Sequence, residues 1–155
     1  MADAYYADSS VLVKRHVRAI GSDWFRQLAD PAAGNLIVTA SFSLVEVYGA
    51  LNRRKREFGL SETDYAQLAA DFAGVCAADY KLIEFSELVI DRARQLLEIY
   101  PLRAGDAVQL ACAAVANDAL RAARIPVLIF LASDARLLNA ARGEGLAVDD
   151  PLTHP

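Results

Sequence analysis

Four carboxylates stand in surroundings that ordinary solvated acids do not have: Asp8, Glu46, Asp106 and Asp134. Asp8 closes the apolar run AYYAD and opens SSVLVKRHV. Glu46 interrupts FSLVEVYGAL, Asp106 begins the helix-like DAVQLACAAVA, and Asp134 follows VLIFLAS and begins a further helical pattern. A carboxylate among apolar residues is costly unless it is paired or holds a cation. Four such acids, brought together by a fold, make an all-oxygen donor set of the kind hard divalent ions select. The chemistry such a set supports is metal-assisted attack on phosphate.

Each acid has a plainer reading as well. Asp106 and Asp134 have the positions of helix N-caps or first-turn acids, favoured by free N–H groups and the helix dipole. Asp8 can form an Asx-type turn with Ser10. Glu46 is harder to explain this way, because its neighbours three and four residues away are Phe42, Ser43, Gly49 and Ala50 rather than a polar face, and an unpaired buried Glu is rare. Capping and ligation are compatible: backbone hydrogen bonds can hold a carboxylate's rotamer while its other oxygen faces an ion. Clustered carboxylates raise one another's pKa values. A cation reverses that cost, so its affinity should fall as pH drops.

Short apolar runs alternating with amphipathic segments predict an α/β fold with a central, largely parallel sheet of four to five strands flanked by helices. The strands are placed at AYYAD, LIVTA, KLIEF, VLIFLA (bounded by Pro126) and LAVDD. The helices are placed over Val11–Arg18 with Ser9 or Ser10 as cap, Asp23–Ala29, Ser41 to about Phe58, Ser61 to about Ala78, Ser86 to about Tyr100, Asp106 to about Ala122 and Ala135–Arg142. Turns fall at Gly21, Pro31–Asn35, Gly59, Pro101, Gly143 and Gly145. Ser61 with Asp64 has the pattern of a capping box. Apolar residues 107, 110, 111, 114 and 115 trace one helical face. Ligands of such sheets bind beyond the carboxyl ends of the strands, where Asp8 and Asp134 fall.

The chain of 155 residues reads as one domain, 1–155, long enough for a sizeable core. At 55% hydrophobic it is not a disordered chain, and the apolar excess predicts a surface that meets a partner. No apolar run reaches the roughly 18–20 residues that span a bilayer, and MADAYYADSS lacks the features of a secretion signal; a cytoplasmic protein is expected. Cys76 and Cys112 lie far apart without zinc spacing and read as buried free thiols. His16 and His154 stand near no nucleophile pattern. The net charge of −4, from 16 basic and 20 acidic residues, gives no broad attraction to nucleic acid, so an RNA substrate would need local basic patches and metal.

The order and surroundings of the four acids resemble the PIN-domain nucleases, through YYADSSVLVKRHV, SLVEVYGAL, LRAGDAVQLACA, FLASDARLLNAA and the tail GLAVDDP. The match runs the length of the chain and looks like a VapC-type toxin of a toxin–antitoxin pair. The resemblance implies a PIN-like three-layer fold and a Mg²⁺- or Mn²⁺-dependent endoribonuclease whose metal-binding and catalytic acids are Asp8, Glu46, Asp106 and Asp134. It implies support from the Ser10 hydroxyl. The Thr or Ser often found two residues before the last acid is here Ala132, with Ser133 adjacent instead, and Gly105 replaces an often larger residue. The implied partners are an RNA substrate, a VapB-type antitoxin covering a groove lined by the helices at Val11–Arg18, Asp23–Ala29 and Ser41–Phe58, and a second copy of the chain in a homodimer, with no membrane involved. A housekeeping RNA-processing nuclease and a non-catalytic metal- or RNA-binding module are the alternatives.

Basic residues sit near these acids in sequence. Arg53, Arg54, Lys55 and Arg56 end the Glu46 helix, where they complement its dipole or contact phosphate. Arg103, three residues before Asp106, is the better-placed candidate for a phosphate contact. Tyr5 and Tyr6 are assigned to the core.

Overall fold

Strands rich in Leu, Ile, Val and Tyr alternate with helices that begin near Ser or Asp, and the computed structural model, which describes residues 2–125 and 127–155, follows that punctuation. The order is β1 (Ala4–Ala7), α1 (Ser9–Val13), α2 (Ser22–Ala29), a 3-10 turn at Pro31–Ala33, β2 (Leu36–Ala40), α3 (Ser41–Phe58), α4 (Glu62–Asp79), β3 (Tyr80–Ile83), α5 (Glu87–Ile99), α6 (Ala104–Ala122), β4 (Leu128–Leu131), α7 (Ala135–Gly143), β5 (Ala147–Asp149) and a 3-10 turn at Pro151–Thr153. The expected α/β sheet is present with five strands, all parallel, in the order β3-β2-β1-β4-β5.

Side chains alternate across each strand because the pleat has a period of two. Ala4 and Tyr6 of β1, Val38 and Ala40 of β2, and Leu128 and Phe130 of β4 enter one core, with α5, α6 and α7 above them. Ala7, Ile37 and Leu131 enter the other, against Val11, Leu12, Phe25, Val47, Leu51 and Phe72 of α1 to α4. The helices therefore cover both faces, which is what an all-parallel sheet requires.

From β1 the chain winds outward through β2 to β3, then returns to the far side of β1 for β4 and β5. Ala7 pairs with Leu131, so the carboxyl ends of β1 and β4 lie side by side where the winding reverses. Connections leave in opposite directions there, and a crevice opens between them.

Several boundaries differ from the sequence reading, each for a local reason. α1 spans Ser9–Val13, not Val11–Arg18, because the Asp8 carboxylate rather than a serine caps it, accepting from the Val11 N–H. Beyond Val13 the N–H groups of Lys14, Arg15 and His16 bond three residues back, and the Lys14 ammonium turns onto the Ile20 carbonyl at 2.9 Å. α2 begins at Ser22, one residue early, after Gly21 at φ +85°; a Cβ there would collide with the Pro151 carbonyl of the C-terminal turn. β3 is Tyr80–Ile83 instead of KLIEF, since Ser86 N–H bonds Glu84 O and turns the chain toward the Ser86 cap of α5. α6 starts at Ala104, which puts Asp106 inside the first turn and leaves Arg103 as an N-cap with no side-chain bond. β4 is confined to Leu128–Leu131; Pro126, its expected bound, lies outside the described residues. Ser61 caps α4 by accepting from Asp64 N–H. The α6 positions 107, 110, 111 and 114 are buried, but so are Gln109, Cys112, Ala113 and Ala116, because α6 lies between the sheet and α5 with α3 and α7 also against it.

Candidate metal centre

Asp8 directly follows β1, and its backbone N–H still bonds across to Leu131 O of β4 at 3.2 Å. Its side chain is 5% exposed. Oδ1 takes the Ser10 hydroxyl at 2.6 Å and the Val11 N–H at 3.1 Å. Both bonds favour the charged form, but burial outweighs them and, with the charges of Glu46 and Asp106, pushes the carboxyl up to about 7. Asp8 is thus both cap and clustered acid: one oxygen is spent on the helix start and Oδ2 is left over.

Glu46 lies on the second turn of α3 and is half-buried. Val45 beside it is 68% exposed, so the apolar surroundings read from FSLVEVYGAL enclose Glu46 on one side only. That side is α6, from which the Gln109 amide donates to Glu46 Oε1 at 2.6 Å. Oε2 lies against Gly105, where a Cβ would stand 3.2 Å from it. The glycine read as a departure at the start of α6 makes room for the acid.

Asp106, in the first turn of α6, is raised above the usual carboxylate range by partial burial first, then by the charges of Asp134 and Glu46, against a lowering contribution from Arg103. Asp134 caps α7, accepting the Leu137 N–H on Oδ1 at 3.0 Å, and is exposed. The electrostatic links run Asp8 to Glu46 and Asp106, and Asp106 to Glu46 and Asp134. These acids therefore gather along one edge of the sheet, at the crevice between β1 and β4. Among the described residues none of them forms an ion pair.

The same edge is open rather than closed into a cage. Among the described residues no group of three or more His, Cys, Asp or Glu side chains is drawn together tightly enough to hold an ion as it stands. The acids border two clefts. One, of about 380 Å³, is lined by Pro101, Arg103, Asp106, Asp134, Ala135 and Arg136; the other, of about 220 Å³, by Ser9, Ser10, Val13, Glu46, Ala50 and Arg53. The donor set nonetheless fits a hard divalent ion: every ligand would be oxygen, and among the described residues the buried Asp8 forms no ion pair.

Ser10 supports Asp8 directly. Ser133 does not support Asp134 in this arrangement, because its Oγ is buried without a hydrogen-bond partner. Arg103 and Arg53 line the two clefts, whereas the Arg54 guanidinium lies 5.4 Å from the centre of the Phe58 ring. Cys76 and Cys112 are buried free thiols, as expected, and burial pushes them up to about 11 and about 12; they are outside the nucleophilic range at neutral pH. Sequence reasoning missed Arg136, which carries no signal beyond its charge, and Gln109, which had one: a polar residue three after Asp106 on a helix otherwise apolar at that depth. Ser43, three residues before Glu46, belongs with it, its hydroxyl 2.9 Å from the Gln109 amide nitrogen.

The family model for the PIN domain matches residues 5–143. No curated protein matches the sequence significantly. Among solved structures, the chain is similar to one in VapBC2 from Rickettsia felis bound to a DNA fragment from their promoter, at 12% identity and TM-score 0.62, covering 95% of this chain and 98% of that one. It is similar to one in FitAcB from Neisseria gonorrhoeae at 13% identity and TM-score 0.64, covering 95% and 97%. A toxin–antitoxin complex from Klebsiella pneumoniae matches at 16% identity and TM-score 0.58, again covering 95% and 97%. At these identities the likeness is one of fold.

Proposed function

This chain belongs to the PIN-domain family, and from that premise we propose that it is a Mg²⁺- or Mn²⁺-dependent endoribonuclease, the VapC-type toxin of a toxin–antitoxin pair. The observation that carries the reading is the gathering of Asp8, Glu46, Asp106 and Asp134 at the carboxyl ends of β1 and β4, with no ion pair to any of them among the described residues and with Asp8 raised to about 7.

In this reading Asp8, through Oδ2, and Glu46, through Oε2, would hold the ion together with Asp106 and Asp134, from the cap of α1, from α3, from the first turn of α6 and from the cap of α7. A bound divalent ion would neutralise charge on the scissile phosphate and acidify water beside it. The chain's own contribution is to fix the oxygens, to supply a general base from among the four acids, and to steer the backbone. Arg103 and Arg136 flank the Asp106–Asp134 cleft, and Arg53 borders the cleft at Glu46; they offset the net negative charge where RNA must approach. Water attacks in line at phosphorus: its P–O bond forms as the bond to the 3′-oxygen breaks, its proton passes to the general base, and the products are a 3′-hydroxyl and a 5′-phosphate.

The similarity to chains of toxin–antitoxin complexes supports a VapB-type antitoxin as partner. A cleft of about 330 Å³ on α1 and α3, lined by Val13, Ala50, Arg53, Arg54, Glu57 and Phe58, gives such a segment an apolar floor with cations at its rim. Further exposed apolar residues on α5, including Leu88 and Ile99, support a homodimer. Among the described residues no helix is long and apolar enough to cross a membrane, and the proposed site of action is the cytoplasm, with residues 1–155 acting as one domain.

The open arrangement of the acids favours one competing reading, a module that binds RNA or metal without cutting. One assay separates the two. The purified protein should cleave RNA with Mg²⁺ or Mn²⁺ and not with chelator, and Asp106→Asn should abolish cleavage with the fold intact. Cleavage by that variant at the wild-type rate removes Asp106 from the mechanism; no cleavage by the wild type under any divalent ion leaves the binding module.

A further inference from the structure

Behind Glu46, away from solvent, a buried chain of polar groups joins three elements. Gln109 of α6 is 2% exposed. Its Oε1 accepts the Tyr6 hydroxyl of β1 at 2.7 Å, and its Nε2 donates to Glu46 Oε1 at 2.6 Å and to Ser43 Oγ at 2.9 Å. The Ser43 and Thr39 hydroxyls are 2.9 Å apart, and Thr39 donates to Ala7 O, the residue before Asp8, at 2.7 Å. A primary amide could in principle face Glu46 with either end. Here the direction is decided by the network: a carboxylate oxygen only accepts, so the amide nitrogen faces Glu46, and the amide oxygen is left at Tyr6, whose hydroxyl donates to it. Both amide N–H groups are then left for Glu46 and Ser43, and every hydrogen-bonding atom of the Gln109 side chain is used.

We infer that Gln109 is a positioning residue for Glu46, holding Oε1 from behind so that Oε2 alone is presented at the Gly105–Asp106 turn of α6. The inference rests on the nuclease reading for its consequence, but not for the contact itself. Two features make the contact more than filler. The amide of Gln109 comes from the helix that carries Asp106, so one side chain ties the Glu46 rotamer to the position of a second acid. The far end of the chain reaches Ala7 O through Ser43 and Thr39, so the register of the strand that carries Asp8 is tied in as well. Hydrogen bonds behind a ligating carboxylate set its orientation and basicity, and their loss typically costs about 10- to 100-fold in metal affinity or activity.

Gln109→Met keeps nearly the same volume and removes the donor. It should weaken Mn²⁺ binding, read by calorimetry, by about 10- to 100-fold and lower kcat by a similar factor, with KM for RNA unchanged. Leu110→Val, the adjacent buried position, serves as a destabilised control: if Gln109 only packs, the two variants lose stability and both keep wild-type Mn²⁺ affinity, and that result overturns the inference. A second readout needs neither metal nor a folded Gln109 variant. In metal-free wild type, the Gln109 side-chain amide protons should be shifted and slow to exchange, and Glu46→Ala should release one of the pair while the one facing Ser43 stays protected. Side-chain amide signals like those of an exposed glutamine overturn the assignment. If the wild type binds Mn²⁺ yet cuts no RNA, the nuclease reading fails, while Gln109 is still judged by the Mn²⁺ affinity and the amide signals.

Discussion

Asp8 and Glu46 stand on groups that are themselves held, whereas Asp106 and Asp134 stand at helix starts lining an open cleft of about 380 Å³. Asp8 is buried and bonded by Ser10 and Val11. Glu46 is backed by Gln109, and through it by Tyr6, Ser43 and Thr39. On the other side, Asp134 is exposed and has one backbone hydrogen bond, to Leu137, and Asp106 is only partly enclosed. The comparison separates two ways of placing a charge. Burial with hydrogen bonds fixes the oxygen in advance and raises the energy of the charged form. Capping a helix at the surface, as Asp134 does, leaves its free oxygen to be ordered by whatever binds, at a cost in side-chain freedom. The pair braced by hydrogen bonds is suited to determine where an ion sits, the less braced pair to admit the ion and its substrate.

The largest test of this contrast is to neutralise one acid from each half. Asp8→Asn keeps the acceptor for Ser10 and Val11 but removes the charge, and cleavage should fall by about 100-fold or more. Asp134→Asn keeps the helix cap and should cost less than about 10-fold in the same initial-rate assay. Equal losses would mean that enclosure does not distinguish the two halves.

Next in size is the effect of the same variant on the metal-free fold. The folded carboxyl of Asp8 titrates at about 7, above its ordinary 3.8. Below pH 4 it is protonated in both folded and unfolded states and costs nothing. As pH rises from about 4 through about 7 the unfolded chain ionises first, and the folded state loses stability. At pH 8 the loss is on the order of 2–4 kcal/mol. Urea unfolding in chelator should therefore find Asp8→Asn more stable than wild type at pH 8, with the gap closing toward pH 4. Mn²⁺ should reverse the order, since it compensates the charge, and its affinity for wild type should fall as pH drops through 7. A variant less stable than wild type at pH 8 in chelator would contradict the burial argument.

Gly105→Ala sharpens the boundary between the halves. Alanine is the better helix former by about 1 kcal/mol, yet its Cβ would stand 3.2 Å from Glu46 Oε2. Stability should hold or rise while cleavage drops several-fold, a separation visible by combining a melting curve with kcat. The smallest expected effects are those of the rim arginines. Arg136→Ala and Arg53→Ala should each raise KM for RNA modestly and reduce the salt dependence of binding by about one ion, leaving kcat unchanged.

Much of the fold was legible because local chemistry announced it. The strand LIVTA and the helix from Ser41 to Phe58 fall where the pattern puts them, with Gly59 at φ +68° stopping the helix. Failures came where one group served two elements. Asp8 looked like the end of a strand with a serine cap to follow, but its own carboxylate starts α1. Asp106 looked like a helix start because the run after it is apolar, whereas α6 begins two residues earlier at Ala104. At the site, the types and order of the four acids could be read along the chain. The orientation of Glu46 could not, because the residue that sets it lies 63 positions away on another helix.

By itself the sequence determined the parallel α/β alternation, the helix stops and the presence of four acids in apolar settings, since these depend on hydrophobic period and on the chemistry of adjacent residues. Only the tertiary structure decided that β1 sits between β2 and β4, and hence that Asp8 and Asp134 flank one crevice. It alone decided that Gln109 holds one oxygen of Glu46 while Gly105 leaves room for the other. The physical reason is range: propensity and capping act within a few residues, whereas burial and hydrogen bonding between elements depend on which surfaces the folded chain brings together.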